Sequence, residues 1–489
     1  MSTYLAIDLG AENGRGVLVS LRDGKVAAEE IHRFVNSPVQ LGGTLYWDFP
    51  LQFAEVLEAL RKCSARQICP AGIGVDTWGV DFGLLGPDGQ LLANPVHYRD
   101  SRTDNIYEYS NAIMSTEEIF AATSCEPWAI SSLFQLLAMK KNGSQILATA
   151  ETFLNMPDLF NYFLTGVKAS ERSIASTSNL MAIDGRWCRE VIERFGLPDV
   201  FCELVEPGTT LGGLQDSVRK QVDLGEVPVI ATCGHDTGAV VAAIPATGDN
   251  WAFLSCGTWS ILGKLCEDPL ITSEALHEGF SNEYSLSGWF SCRNILGLWL
   301  VQGLRRKWDT TADPWDYSRM TAEAAEARAA GWIDVADSSL MAPADMEASL
   351  LDLFERCGQA KPETRGELVR SVLESLALEY AHSLEVMSEL TGRRSDELFM
   401  VGGGVANRLL CQLTANACRI RVHAGPAECT AVGNALIQAV ALGDLRGRDE
   451  IRQVMRNSFE LAAYEPLDSA EWDEKLQRYK ELKQLSQSL

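Results

Sequence analysis

The chain is poor in the features that mark several common protein classes. No uninterrupted apolar run approaches the roughly 18 residues of a membrane span, so no transmembrane helix is predicted. The N-terminus, Met-Ser-Thr-Tyr-Leu-Ala-Ile-Asp, lacks a basic segment followed by an apolar one, so no secretory leader is expected. The 13 cysteines include no Cys-x-x-Cys pair and no His/Cys group at zinc spacing. An odd, scattered set of this kind predicts reduced thiols and a cytoplasmic protein. Low-complexity segments are absent, as are Gly-x-Gly-x-x-Gly and the Gly-Lys-Ser/Thr of a P-loop. Basic residues are scarce: 42 Lys and Arg stand against 66 Asp and Glu, a formal net charge of −24. Such a surface repels nucleic acid and anionic lipid and suits a neutral ligand. A nucleotide would need a local patch of backbone amides or a metal ion.

What is present is enough for more than one core. A chain of 489 residues with 46% hydrophobic content exceeds the roughly 250–300 residues at which single cores stop growing. Tyr4–Ile7 reads as a strand, Gly10 to Gly14 as a break, and Gly16–Ser20 as a second strand; a third begins near Lys25. Leu51–Ala65 has helical period, Ala71–Val75 reads as a strand, and residues 104–165 read as mostly helical. Pro228–Thr232 is a short β-rich run before a helix, and Pro245–Asn250 a linker. Trp251–Ser255, Cys256-Gly257-Thr258 and Trp259–Leu265 then repeat the strand–glycine–strand layout of the opening, which predicts two related domains. A long helix is expected over Arg365–Leu390, with a Thr364/Glu367 capping box and Gly392 after its end. Leu398–Val401 leads as a strand into Gly402-Gly403-Gly404, and 470–485 reads as an exposed helix.

Four segments carry candidate chemistry. In Asp8-Leu9-Gly10-Ala11-Glu12-Asn13-Gly14-Arg15, glycines in a turn admit phosphate oxygens to the backbone amides. Arg15 can neutralise a phosphoryl group and Asp8 can hold a hydrated Mg²⁺. A plain hairpin reads equally well. In Gly234-His235-Asp236-Thr237-Gly238, a carboxylate at a strand end is placed to take a proton from a substrate hydroxyl; on local chemistry alone Asp236 reads more readily as a helix N-cap than as a base. Gly257-Thr258 offers amides and a hydroxyl to phosphate. The three glycines at 402–404 leave a side-chain-free surface for a nucleoside. Among the remaining polar runs, Asp76-Thr77-Trp78-Gly79-Val80-Asp81 suggests Trp78 against a sugar face and Asp81 on its hydroxyls. His97-Tyr98-Arg99-Asp100-Ser101-Arg102 reads as a polar loop, and Asn294-Ile295-Leu296-Gly297-Leu298-Trp299 leads to Gln302.

Taken in order, these segments resemble the FGGY family of carbohydrate kinases over nearly the whole chain. The runs at 74–82, 98–103, 156–160 and 294–302 are similar to those of the subfamily acting on L-rhamnulose. The resemblance implies an α/β fold of two actin/hexokinase-like (ribonuclease H-like) ATPase domains with a cleft between them, here 1–245 and 246–489. It implies transfer of the γ-phosphoryl group of ATP to a ketose, with Mg²⁺. Asp236 would be the base, and Gly79, His235, Asp236, Thr237 and Asn294 the sugar contacts. Ala11, Glu12, Asn13, Gly14, Arg15, Thr258, Gln302, Gly402 and Gly403 would contact ATP, and Asp8 the metal. Ala11, Glu12, Asn13 and Gly14 stand where many members carry hydroxyl side chains, which leaves more to backbone amides and Arg15. The expected partners are ATP and a small ketose, with no nucleic acid or membrane; monomer and homodimer both remain open. The rivals are a kinase of fuculose or a pentulose and an actin/Hsp70-like nucleotide switch.

Overall fold

The computed structural model describes residues 2–248 and 250–488. By compactness the chain divides into two units. The first takes Met1–Thr247, Leu265–Ser291 and Cys429–Ser458; the second takes Gly248–Lys264, Cys292–Glu428 and Phe459–Leu489. The linker expected at Pro245–Asn250 falls at the first crossing. Two later segments return to the first unit, an exchange that no local composition shift announces.

The first unit is built on a six-stranded sheet. Strands β1 (Ser2–Leu9) and β2 (Asn13–Arg22) form an antiparallel hairpin, and β3 (Lys25–Val35) extends it at one edge. On the other side β1 runs parallel to Ile73–Thr77, which runs parallel to Pro228–Ala231, which pairs antiparallel with Thr209–Gly213. β1 and Ile73–Thr77 are buried almost throughout, as near-continuous apolar runs in the middle of a sheet must be. Helix α1 (Phe49–Ala65) covers one face, burying Phe49, Val56, Leu57 and Leu60 in a core with Leu5, Ile7, Trp47 and Phe160. A second core gathers Phe82, Leu84, Phe134, Phe153 and Trp187. The helix Cys429–Ala441 packs so closely on Asp236–Ala243 that a Cβ at Gly433 would run into the carbonyl of Ala239.

The second unit repeats the scheme. Trp251–Cys256 pairs antiparallel with Trp259–Leu265 and parallel with Glu397–Val401, which is parallel to Arg421–Ala424, itself antiparallel to Ala462–Tyr464. The succession antiparallel, parallel, parallel, antiparallel is the same in both units. The repeat read from two glycine-broken hairpins therefore extends through five strands of each sheet. The long helix is Arg365–Thr391, with the Thr364/Glu367 capping box in place and Gly392 left-handed at its end.

Two expectations are corrected. The stretch read as mostly helical contains a strand, Thr152–Asn155, antiparallel to Phe82–Leu85; four residues are too few for a period, and their partner lies far off in sequence. The C-terminal helix Ser469–Ser488 is not an exposed one: it buries Trp472, Leu476, Tyr479 and Leu482. Its Lys483 reaches both carboxylate oxygens of the buried Glu379, 2.7 Å from each, and Arg293 lies 3.1 Å from the same carboxylate. Among the described residues no helix is long and apolar enough to cross a membrane.

Candidate active site

Three carboxylates gather where neighbouring chains of the first sheet end. Asp8 and Asp76 are register partners on β1 and Ile73–Thr77. The amide of Thr77 donates to the carbonyl of Gly234 at 2.8 Å, which draws the Gly234-His235-Asp236 loop alongside. Asp8 is paired with Arg15, its register partner on β2. Asp76 is fully buried. Its Oδ2 accepts from Asn434 Nδ2 at 2.6 Å, and its Oδ1 has no partner. Burial first, then the charges of Asp8 and Asp236, hold its pKa well above the ordinary carboxylate value, against the pull of Asn434 and Arg15.

Asp236 begins the helix Asp236–Ala243, but the N-cap position belongs to His235. Asp236 Oδ1 accepts from its neighbour Thr237, from the amide at 2.5 Å and the hydroxyl at 3.1 Å. The capping alternative is met in part: from the first helical position, not the N-cap, the carboxylate bonds the Thr237 amide, one of the helix's free N-terminal donors. Its side chain is 37% exposed, and among the described residues its bonds all go to Oδ1. Partial burial raises its pKa, the His235 imidazole opposes that rise, and Asp8 adds to it.

The flanking glycines serve packing rather than substrate approach. A Cβ at Gly234 would meet Pro157 at 2.8 Å and Glu171 at 3.2 Å, and one at Gly238 would meet the Tyr284 carbonyl at 3.1 Å. Glu171 braces the loop by accepting from the amides of Gly234 at 2.8 Å and Ser173 at 2.7 Å, and burial lifts its pKa to about 7 despite those bonds. His235 lies between two carboxylates. Its Nε2 is 3.4 Å from Asp236 Oδ1, and its Nδ1 is 3.0 Å from Glu283 Oε2.

Gly79 sits beside Thr177, which accepts from the amide of Val80 at 3.2 Å. Val80 is left-handed (φ 69°), a costly conformation for a β-branched residue. Its carbonyl is held by Ser132 Oγ at 2.5 Å. The role expected for Asp81 on sugar hydroxyls is corrected. Asp81 is fully buried and accepts from Trp47 Nε1 at 2.6 Å, Trp78 Nε1 at 2.9 Å, Gln135 Nε2 at 2.9 Å and the Tyr98 amide at 3.3 Å. Trp78 is likewise buried, its ring 4.1 Å from that of Trp47. The 97–102 loop is a brace: Arg102 donates to Gln135, and Asp100 accepts from the Leu45 amide at 2.7 Å.

At the tip of the first hairpin, Ala11, Glu12 and Asn13 are at least partly exposed. Gly10 closes the turn by donating to the Asn13 carbonyl at 2.9 Å. Gly14 is buried, and the space of its missing side chain is taken by Phe34.

In the second unit Thr258 accepts from Gln302 Nε2 at 3.2 Å, and the Thr258 carbonyl accepts from the amides of Gly297 and Trp299, each at 3.1 Å. Parallel pairing of Trp251–Cys256 with Glu397–Val401 sets the triple glycine beside Cys256. Gly402 is left-handed (φ 85°), and its Cβ would meet the Cys256 carbonyl at 2.9 Å; a Cβ at Gly404 would run into Cys256 Sγ. Gly403 faces open space. Asn294 lies on the strand Gly288–Leu296, half-buried, in this second unit.

Glu283, Glu171, Asp76 and Asn434 were not singled out as site residues from the sequence. Asp76 and Asn434 each stand as an acid or amide in an apolar or small-residue run, the available signal for a buried polar group; Glu171, beside Arg172, and Glu283, beside Asn282, carry no such signal. Among the described residues no three His, Cys, Asp or Glu side chains form a metal-ligating group. Asp8, with the unpartnered Asp76 Oδ1 near it, offers hard oxygen donors that fit a Mg²⁺ ion taking most of its ligands from phosphates and water.

Comparison with known proteins adds two family matches: the FGGY family of carbohydrate kinases, N-terminal domain, over residues 3–243, and its C-terminal domain over 252–442. A rhamnulokinase of Bacteroides thetaiotaomicron is 40% identical over 474 residues, covering 96% of this chain and 97% of the relative. One of Enterococcus faecalis is 37% identical, covering 96% and 95%. Among solved structures, the xylulose kinase of Lactobacillus acidophilus superposes with a TM-score of 0.81 at 17% identity, covering 99% of this chain and 98% of its own. The Plasmodium falciparum glycerol kinase with ADP gives 0.80 at 15% identity with the same coverage. These two likenesses bear on the fold.

Proposed function

The chain belongs to the FGGY family of carbohydrate kinases, and from that premise we propose that it phosphorylates L-rhamnulose with ATP, giving L-rhamnulose 1-phosphate and ADP. The observation that carries the chemistry is Asp236: a partly exposed carboxylate whose bonds among the described residues all go to Oδ1. Oδ2 accepts the proton of the sugar hydroxyl as that oxygen bonds to the γ-phosphorus. The bond from the γ-phosphorus to the β–γ bridging oxygen breaks, and ADP leaves. Transfer of this kind depends chiefly on positioning and charge stabilisation.

Gly79, His235 and Thr237 orient the sugar, with Asn294 as a further contact. The tip residues Ala11, Glu12 and Asn13, the Gly14 backbone and Arg15 are assigned to the phosphates of ATP, as are Thr258 and Gln302. Gly402 and Gly403 are assigned to the nucleoside, Gly403 presenting the open backbone. Asp8 would hold a Mg²⁺ ion arriving with the nucleotide, which when bound supplies neutralising charge at the phosphates. The choice of ketose rests on relatives named rhamnulokinase that align along nearly their whole length.

A panel of ketoses in an ADP-release assay tests the substrate, and a preference for fuculose or a pentulose would overturn it. Asp236→Asn tests the base: phosphorylation should fall about 10²–10⁴-fold with nucleotide affinity unchanged. Full activity in that variant would remove Asp236 from the role.

A further inference from the structure

His235 is the residue whose environment the phosphoryl-transfer reading leaves unexplained. An imidazole has two nitrogens, and in its neutral form one of them is an acceptor without a proton. Here both nitrogens lie at ion-pair distance from carboxylates, Nδ1 3.0 Å from Glu283 Oε2 and Nε2 3.4 Å from Asp236 Oδ1, neither contact having hydrogen-bond geometry. Two ionised carboxylates this close favour a positively charged ring over a neutral one. The arrangement selects the imidazolium.

Glu283 is held in place to do this. It lies on the strand Phe280–Ser285, with 6% of its side chain exposed. That strand is pinned on both sides of it. Asn282 donates from its amide and its Nδ2 to the Ser124 carbonyl, both at 2.9 Å. The Tyr284 amide donates to Ser176 Oγ at 3.0 Å, and Ser285 Oγ donates to the carbonyl of Gly238, inside the helix that Asp236 opens, at 2.7 Å. Two residues on from Glu283, then, the strand is fastened to the helix carrying the base. A buried carboxylate is costly unless paired, and His235 is the cation facing this one.

We propose that Glu283 is a positioning residue for phosphoryl transfer, holding His235 as an imidazolium whose charge fixes Asp236 Oδ1 and so aims Oδ2 at the sugar hydroxyl. The proposal rests on the reading of Asp236 as the base. The acidic groups around His235 act in the same sense. Burial works against its charge, but Glu283, Asp236 and Glu171 outweigh burial and lift its pKa to about 9. The Asp236 carboxylate, flanked also by Asp8, keeps its charge beside this cation more readily than it would beside a neutral ring.

Glu283→Gln tests this, being equal in size and uncharged. In histidine-labelled wild-type enzyme, the His235 ring, assigned by its loss in His235→Asn, should stay doubly protonated past neutrality with a midpoint near 9. In Glu283→Gln the midpoint should fall by about two units, toward the ordinary value. Turnover of the ketose should follow. Relative to wild type, Glu283→Gln is expected within about threefold at about pH 6, where the imidazolium persists, and at least about tenfold down at about pH 8.5, with KM for ATP unchanged. A merely structural role would lower activity by the same factor at both values, and that result would overturn the proposal. A neutral His235 in the wild-type enzyme at about pH 7.5 would overturn it as well, without need of any variant. Activity surviving in Asp236→Asn would instead sink the base assignment while leaving the ring titration as observed.

Discussion

Asp8 and Asp76 stand opposite one another on adjacent parallel strands, and Arg15 pairs with the first while Asn434 bonds the second. Two carboxylates on one register line cannot both ionise cheaply, and full burial adds to the cost at Asp76. Because the folded-state pKa of Asp76 is raised, its favourable contribution is complete below the unfolded value and is lost as pH rises through the folded one. Asp76→Asn should therefore gain thermal stability over wild type, and the gain should grow with pH. Melting temperatures of both proteins between about pH 5 and 9 check the sign; a gain that shrinks with pH refutes it.

The three glycines at 402–404 separate by what a side chain would meet. Gly404→Ala drives a Cβ into Cys256 Sγ and should destabilise the second unit, with partial recovery in the Gly404→Ala/Cys256→Ala pair. Gly403→Ala meets nothing and should melt as wild type does. If the open backbone there seats the nucleoside, KM for ATP should rise about tenfold in this variant alone, a change of about 1.4 kcal/mol. An unchanged KM would move the nucleoside elsewhere.

Asp81 is saturated by donors, two indoles, an amide side chain and a backbone amide. Asparagine there turns an NH₂ toward at least one of them. Asp81→Asn should cost about 1–3 kcal/mol in urea unfolding, the price of a buried donor facing a donor. It should also raise the KM for sugar, since Trp78 adjoins Gly79. A variant with wild-type stability would mean that the network can rearrange.

Glu379 shows the opposite titration. Burial disfavours its charge, but Arg293, Lys483 and His382 outweigh burial and hold its pKa at about 2. The stability it provides is present above the unfolded carboxylate value and is lost as pH falls through about 2. Lys483→Met, which strips one cation from a buried pair, should lower the melting temperature at neutral pH. The difference from wild type should narrow in acid as wild type loses the pair too. A constant difference would assign the effect to packing alone.

The parts of the fold readable from the sequence are those with local signatures. Glycine-broken hairpins, the capping box of Arg365–Thr391 and Asp236 at a strand-to-helix junction each depend on residues a few positions apart. Features assembled from distant segments were not legible. Asp81 looks available in its own stretch, and it is used up only because Trp47, Tyr98 and Gln135 arrive from three other places. Glu283 gives no hint of His235 from 48 positions away. The burial of the C-terminal helix was readable and overlooked, because Trp472, Leu476, Tyr479 and Leu482 recur at helical spacing beneath a charged composition.

The first unit closes only with chain that is synthesised late. Asp236 emerges from the ribosome well before Glu283, and Asn434, which bonds Asp76, follows some two hundred residues after Asp236. At about 5–20 residues per second, the nascent N-terminal half spends upwards of ten seconds with its carboxylates lacking that amide. During translation the first unit is thus an unfinished body until Cys429–Ala441 has been made, after Glu397–Val401 and Arg421–Ala424 of the second unit and before its Ala462–Tyr464.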